Sequence, residues 1–171
     1  MKNYFQIFNL PESFAIDEAQ LETHYLELQK QFHPDKLVTK PEGERLVLAS
    51  LSVDINDGYH ILKSSLLRSE YLLLQSGIIV NQDARDTVKP SPLILMAAME
   101  NHENLDDCTT LDEVKALEKQ TKTRIKESES ALISYYAEEP KNLEKAAFET
   151  INLKYLTKFL EDIKQRAKKL K

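Results

Sequence analysis

Apolar residues recur at steps of three and four along nearly the whole chain, and this spacing constrains the fold more than any other feature. Leu21, Tyr25, Leu28 and Phe32 make one stripe, and Leu48, Ser52, Ile55, Tyr59 and Leu62 a second. Val114, Leu117, Thr121, Ile125, Ser128, Leu132 and Tyr135 make a third, and Leu153, Leu156, Leu160, Ile163, Ala167 and Leu170 a fourth. Each set falls on one face of an α-helix, so each helix must bury that face against a neighbour. No segment alternates apolar and polar residues for long enough to make a sheet strand. With 3 Gly and 6 Pro in 171 residues, the chain also lacks the turn residues an all-β fold needs. The spacing predicts an all-α protein.

Local signals set the boundaries. Tyr4 to Leu10 is a short apolar segment stopped by Pro11. Asp17, with Gln20 three positions on, reads as a helix cap, flanked by Ile16 and Leu21 at staple positions. That helix ends at Phe32 or His33, because the residue before Pro34 is pushed out of the α region. Thr39-Lys40-Pro41-Glu42 reads as the next start, with Thr39 as the cap. Gly58 inside the helix that follows costs about 1 kcal/mol relative to Ala, and a close helix crossing is the reason we assign it. A short apolar helix from Leu66 to Gln75 stops at Gly77. Residues 78–90 lose the pattern. Ser91-Pro92 then opens a helix running to about Leu105, Thr110 with Glu113 forms a capping box, and Glu139-Pro140 breaks the chain again. Residues 1–76 are expected to form a helical hairpin domain, 77–90 a connector, and 91–171 an antiparallel three-helix bundle.

Charge and cysteine content exclude several functions. Net charge is -5, from 23 basic and 28 acidic residues, which disfavours nucleic-acid binding. The basic run Lys154, Lys158, Lys164, Arg166, Lys168, Lys169 and Lys171 reads as a solvated helix end. No apolar run reaches the roughly 18–20 residues of a spanning helix, so no membrane partner is expected. Cys108 is the only cysteine, which leaves no disulfide, zinc or cluster ligand set and suits a reducing compartment. Met1 to Phe5 reads as neither a signal peptide nor a transit peptide. A bacterial cytoplasmic location fits these features, with a processed organelle protein as the other reading.

His33-Pro34-Asp35 lies between two amphipathic helices, the second of which carries Ile55-Asn56-Asp57-Gly58-Tyr59. The tripeptide alone is weak; in this context it resembles a J-domain, the module that stimulates ATP hydrolysis by DnaK-type chaperones. Tyr4-Phe5-Gln6-Ile7-Phe8-Asn9-Leu10-Pro11, Leu28-Gln29-Lys30-Gln31-Phe32-His33-Pro34-Asp35-Lys36 and Arg68-Ser69-Glu70-Tyr71-Leu72-Leu73 extend the resemblance to the HscB family. These are the J-type co-chaperones of iron–sulfur cluster biogenesis, which join a J-domain to a helical carboxyl-terminal domain. The resemblance implies two partners, a DnaK-type ATPase (HscA-like) and the cluster scaffold protein (IscU-like), and no cofactor. It gives His33, Pro34, Asp35, Lys30 and Lys36 the chaperone contact. Pro34 stiffens the corner, and a carboxylate at Asp35 suits an arginine. The basic face of the family is thin here, with Glu27 one turn before Lys30 and His24 at a position where a cation is common.

The second implied site lies on the helix after Pro92. On that helix Leu95, Met96, Met99 and Glu103 share one arc, and Ile94, Ala97, Ala98 and Leu105 lie opposite. The second arc suits the bundle core, and the first suits a partner, since methionine adapts to irregular surfaces. By resemblance the scaffold contact falls to Leu95, Met96, Met99, Glu100 and Glu103 with Lys154 and Tyr155, and Lys158 is a further candidate. Met99 and Ala97 depart from the commoner family pattern.

An enzyme of its own is not expected. Cys108 sits in the polar stretch Asp106-Asp107-Cys108-Thr109 without a cation in sequence to activate it. His24, His60 and His102 fall on different helices without metal-ligand spacing. Three glycines leave no phosphate-cradling loop.

Overall fold

The computed structural model describes residues 2–170, so Met1 and Lys171, the last cation of the basic run, lie outside the described residues. Helices and turns account for the described secondary structure, and no strand occurs among these residues. The chain packs as two units that part between Tyr71 and Leu72.

The first unit holds α1 (Tyr4–Ile7), α2 (Glu18–Phe32), α3 (Pro34–Leu37), α4 (Glu42–Lys63) and the start of α5 (Ser65–Gln75). Asp17 starts α2 as expected, its carboxylate accepting the Ala19 and Gln20 backbone N–H groups at 2.9 and 3.0 Å. Helices α2 and α4 pack antiparallel. Glu22 ion-pairs with Lys63 at 3.7 Å, Tyr25 stacks on Tyr59 with ring centroids 3.8 Å apart, and Gln29 donates to Asn56 at 2.7 Å. Moving up one helix moves down the other. Phe5, Phe8, Phe14, Leu21, Ile55 and Leu62 fill the core beneath them.

Gly58 marks the expected crossing. A Cβ there would stand 2.7 Å from Tyr4 Cδ1 and 3.0 Å from Phe8 Cε2, so α1 lies directly on the α4 backbone. Two residues of α5 close the unit. The Arg68 guanidinium donates to the Leu62 carbonyl at 2.6 Å, satisfying an orphan acceptor at the end of α4, and lies over the Phe14 ring. The Tyr71 hydroxyl donates to the Lys2 carbonyl at 2.6 Å and accepts the Tyr4 N–H at 3.1 Å. Tyr71 therefore clamps α1, and burial raises the pKa of its phenol. The Thr39 cap is not observed. α4 begins at Glu42 behind Pro41 with no side-chain cap bond, because Thr39 lies in the turn that closes α3, where Lys40 N–H bonds the Leu37 carbonyl at 3.0 Å.

The second unit holds the rest of α5, α6 (Pro92–Asp107), α7 (Leu111–Ala137) and α8 (Leu143–Lys169). Gly77 ends α5 at φ 78°, a left-handed turn that suits glycine. Residues 78–90 are a structured loop rather than a loose strand of chain. Ile79 and Thr87 exchange bonds, with Thr87 N–H to the Ile79 carbonyl at 2.8 Å and Ile79 N–H to Thr87 Oγ1 at 2.9 Å, and Val80 is buried. Ser91 caps α6, and the Thr110–Glu113 capping box opens α7 complete. Leu105, Val114, Phe159 and Ile163 form one cluster, so the start of α7 meets the end of α8 and both meet the end of α6. At the other end, the Lys145 ammonium sits 5.7 Å from the Tyr135 ring centroid. This is an antiparallel α7–α8 pair with α6 packed alongside α8. Two details depart from the spacing. Tyr136 rather than Tyr135 is buried, and Phe159 rather than Leu160. α8 also starts at Leu143, and its first turns bury Ala146, Ala147, Thr150 and Ile151.

Candidate functional site

The His33-Pro34-Asp35 tripeptide is not a loop but the opening of a helical turn. His33 ends α2 with extended backbone (φ -60°, ψ 136°), and Pro34 and Asp35 are already in α3. This follows from sequence chemistry. Proline fits the first turn of a helix, where its missing N–H is not needed. Lys36 Nζ donates to the Lys30 carbonyl at 2.5 Å, tying α3 back onto the orphan end of α2. The Asp35 side chain is 90% exposed and the His33 ring about half exposed. Leu26, Gln29, Lys30, His33, Asp35 and Lys36 together line a shallow recess of about 420 Å³. All the described side chains expected at this corner are thus brought together, and Leu26, 49% exposed, joins them unanticipated. His24 does not. Its Nδ1 bonds the Phe8 carbonyl at 2.5 Å, so the ring fastens α2 to the end of α1 and supplies no docking cation.

The second candidate surface runs along α6. Leu95 is 43%, Met96 65% and Met99 66% exposed, while Leu105 is buried and Ile94, Ala97 and Ala98 are partly covered. Exposure follows the two arcs, except that Ala98 of the second arc lines a recess with Leu95 and Met99 of the first. Leu95, Ala98, Met99, His102, Tyr155 and Phe159 line a largely apolar recess of about 450 Å³ between α6 and α8, edged by Asn101 and Lys158. Leu95, Met99, Tyr155 and Lys158 are brought together. Met96, Glu100 and Glu103 are exposed on α6 but lie outside that lining, beside Leu93, whose 77% exposure continues the apolar strip. The sequence pattern missed Leu93 because it stands in the first helical turn, before the periodicity is established. Lys154 serves structure as well. Its Nζ donates to the Asn81 carbonyl at 3.3 Å and holds the 78–90 loop to α8.

Arg166 donates to the Cys108 carbonyl at 3.0 Å, so a cation does stand near this thiol, brought there by the fold. Burial nevertheless raises the Cys108 pKa, helped by the Glu113 charge and opposed by Arg166. Among the described residues no group of three or more His, Cys, Asp or Glu side chains is arranged to hold a metal. No helix among them is long and apolar enough to cross a membrane.

A helical hairpin carrying His-Pro-Asp at its turn, followed by a helical bundle with an exposed Leu/Met strip, defines a J-type co-chaperone. Comparison with known proteins makes the class specific. A family model described as the HSCB C-terminal oligomerisation domain matches residues 90–164. The co-chaperone protein HscB homolog of Vibrio vulnificus (strain YJ016) is 38% identical over 105 residues, which span 61% of this chain and 60% of that protein's length. The structure of chaperone HscB from Vibrio cholerae superposes with a TM-score of 0.87 at 30% identity, covering 99% of this chain and 100% of that one. The human co-chaperone protein HscB superposes at 0.86 with 27% identity, covering 96% and 82%. The chain belongs to the HscB co-chaperone family.

Proposed function

We propose that this protein stimulates ATP hydrolysis by a DnaK-type, HscA-like chaperone and delivers an IscU-like scaffold to it, assisting iron–sulfur cluster assembly and transfer in a bacterial cytoplasm. In this reading residues 1–76 are the J-domain and His33, Pro34 and Asp35 its stimulating corner, with Lys30 and Lys36 beside it. The observation that carries it is the fully presented Asp35 carboxylate on a turn held by a cap, a proline and a lysine tether. An exposed carboxylate on a fixed backbone can accept a bidentate arginine without reordering itself, so little entropy is lost on docking. Stimulation then works by favouring one conformation of the partner, since a ligand shifts an equilibrium only through unequal affinity for its two states.

The Leu95–Met99–Tyr155 recess is the proposed scaffold site, with Met96, Glu100, Glu103 and Lys154 around it. An adaptor of this kind takes no cofactor and performs no chemistry itself. The test is ATP turnover by the partner chaperone, with this protein and the scaffold added separately and together. Synergy is the expected result. Stimulation that ignores the scaffold would point to a J-protein with a different client, and no stimulation would end the proposal. Asp35→Ala should abolish stimulation while scaffold binding and melting temperature stay as in the wild type.

A further inference from the structure

We infer that the chaperone docks on α2 through an apolar anchor, Leu26, rather than through a basic face, so that association is nearly independent of salt. This rests on the proposed function and concerns the same corner.

The residues of that face nearly balance in charge. In the recess lining Lys30 and Lys36 stand against Asp35, and the exposed Glu27 lies one turn before Lys30 on α2. The His33 Nδ1 is taken up by the Asp35 N–H. Lys36 is also partly committed, through its bond to the Lys30 carbonyl. His24, which could have supplied another cation, is turned away onto Phe8. A surface with so small a net charge gives little long-range attraction, so steering does not set the affinity here.

What the face does offer is apolar. Leu26, Lys30 and His33 stand at i, i+4 and i+7 of α2 and share one stripe with the mouth of the recess. Leu26 is 49% exposed, a large apolar side chain half open to water at the recess. The Lys30 stem runs beside it and can lie along apolar surface with its ammonium in water. Interfaces of this form draw their affinity from a central desolvated side chain ringed by polar contacts. The occupant is the ATPase of the DnaK-type chaperone. It is taken from the proposed function, and the face asks of it an apolar side chain over Leu26, a cation for Asp35 and a carboxylate for Lys30.

The experiment measures single-turnover ATP hydrolysis by the chaperone against the concentration of the full chain, at about 0.1 M and about 0.5 M salt. The wild type should change its half-saturating concentration by less than about threefold between these conditions. Leu26→Ala should raise that concentration about tenfold with maximal stimulation kept. Leu26→Lys should show a clear salt dependence that the wild type lacks. Wild-type half-saturation by Leu26→Ala, or a wild type weakened tenfold by salt, overturns the inference and leaves the proposed function standing. Full stimulation by Asp35→Ala overturns both.

Discussion

The His33 imidazole joins two helices: its Nδ1 accepts the Asp35 backbone N–H at 3.3 Å and lies 3.5 Å from the Asp35 carboxylate. The ring that terminates α2 therefore caps α3, with the exposed carboxylate beside it. Accepting through Nδ1 leaves Nε2 outside this bond, on a ring about half exposed. One side chain thus combines the cap seen here with the partner contact of the proposed function.

They can be separated by substitution. Asn is among the strongest helix caps, and losing a cap costs about 1 kcal/mol. His33→Asn should keep the α3 turn and retain a measurable fraction of chaperone stimulation, whereas His33→Ala should lose more. Equal loss in both would show that the ring acts only through direct contact. Stimulation kinetics together with amide-exchange protection at Asp35 and Lys36 make the comparison.

Gly58 offers a test of packing in the first unit. Replacing it by Ala gains about 1 kcal/mol of helix propensity. The new methyl would stand 2.7 Å from a ring carbon of Tyr4. That ring cannot move freely, because it lies 5.1 Å from the Tyr71 ring and its backbone N–H is bound by the Tyr71 hydroxyl. Overpacking costs about 1–3 kcal/mol, so Gly58→Ala should be destabilised by about 1 kcal/mol net in urea unfolding. A variant as stable as the wild type would mean α1 can lift from α4 cheaply.

The capping box of α7 predicts a pH dependence of known sign. Glu113 accepts the Thr110 and Thr109 backbone N–H groups, both at 2.9 Å, and these bonds lower its pKa in the folded chain. A lowered folded pKa means the stabilisation is complete above the unfolded pKa and disappears as pH falls through the folded one. Glu113→Gln should therefore be less stable than the wild type at neutral pH, with the gap closing in acid. A gap of constant size from pH ~7 to pH ~3 would show that the carboxylate charge is not what the box uses.

How much of this was legible in the sequence depends on which force placed each residue. Helix positions came through because a stripe such as Leu21, Tyr25, Leu28 and Phe32 records burial directly, and Asp17, Ser91 and Thr110 record capping. Gly58 was readable as a crossing because glycine inside a helix needs a reason. Thr39 misled because its turn closes α3, a helical turn too short to leave a period. Phe159 hid behind Leu160 because adjacent apolar residues cannot be ranked by spacing alone. The early part of α8 was missed because Ala146, Ala147 and Thr150 carry a weak hydrophobic signal even though all three are buried. At the chaperone corner, the tripeptide was visible but the Lys36 tether, the loss of His24 to Phe8 and the exposure of Leu26 depend on contacts between helices. The local pattern contains none of these.

The α6 strip can be divided by mutation into parts that line the recess and parts that do not. Leu95 and Met99 line it with Tyr155, whereas Leu93 and Met96 stand outside. Truncating side chains already exposed removes little core packing, so Leu95→Ala with Met99→Ala should leave the melting temperature within about 2–4 °C of the wild type, the shift expected for roughly 1 kcal/mol. If the recess is where the scaffold seats, the same pair should weaken scaffold binding at least tenfold, since central apolar anchors dominate such interfaces. Leu93→Ala with Met96→Ala should weaken it less. Titration calorimetry of both pairs decides the matter. Equal losses would widen the site to the whole strip, and an unchanged affinity for the Leu95/Met99 pair would remove the recess from the scaffold interface.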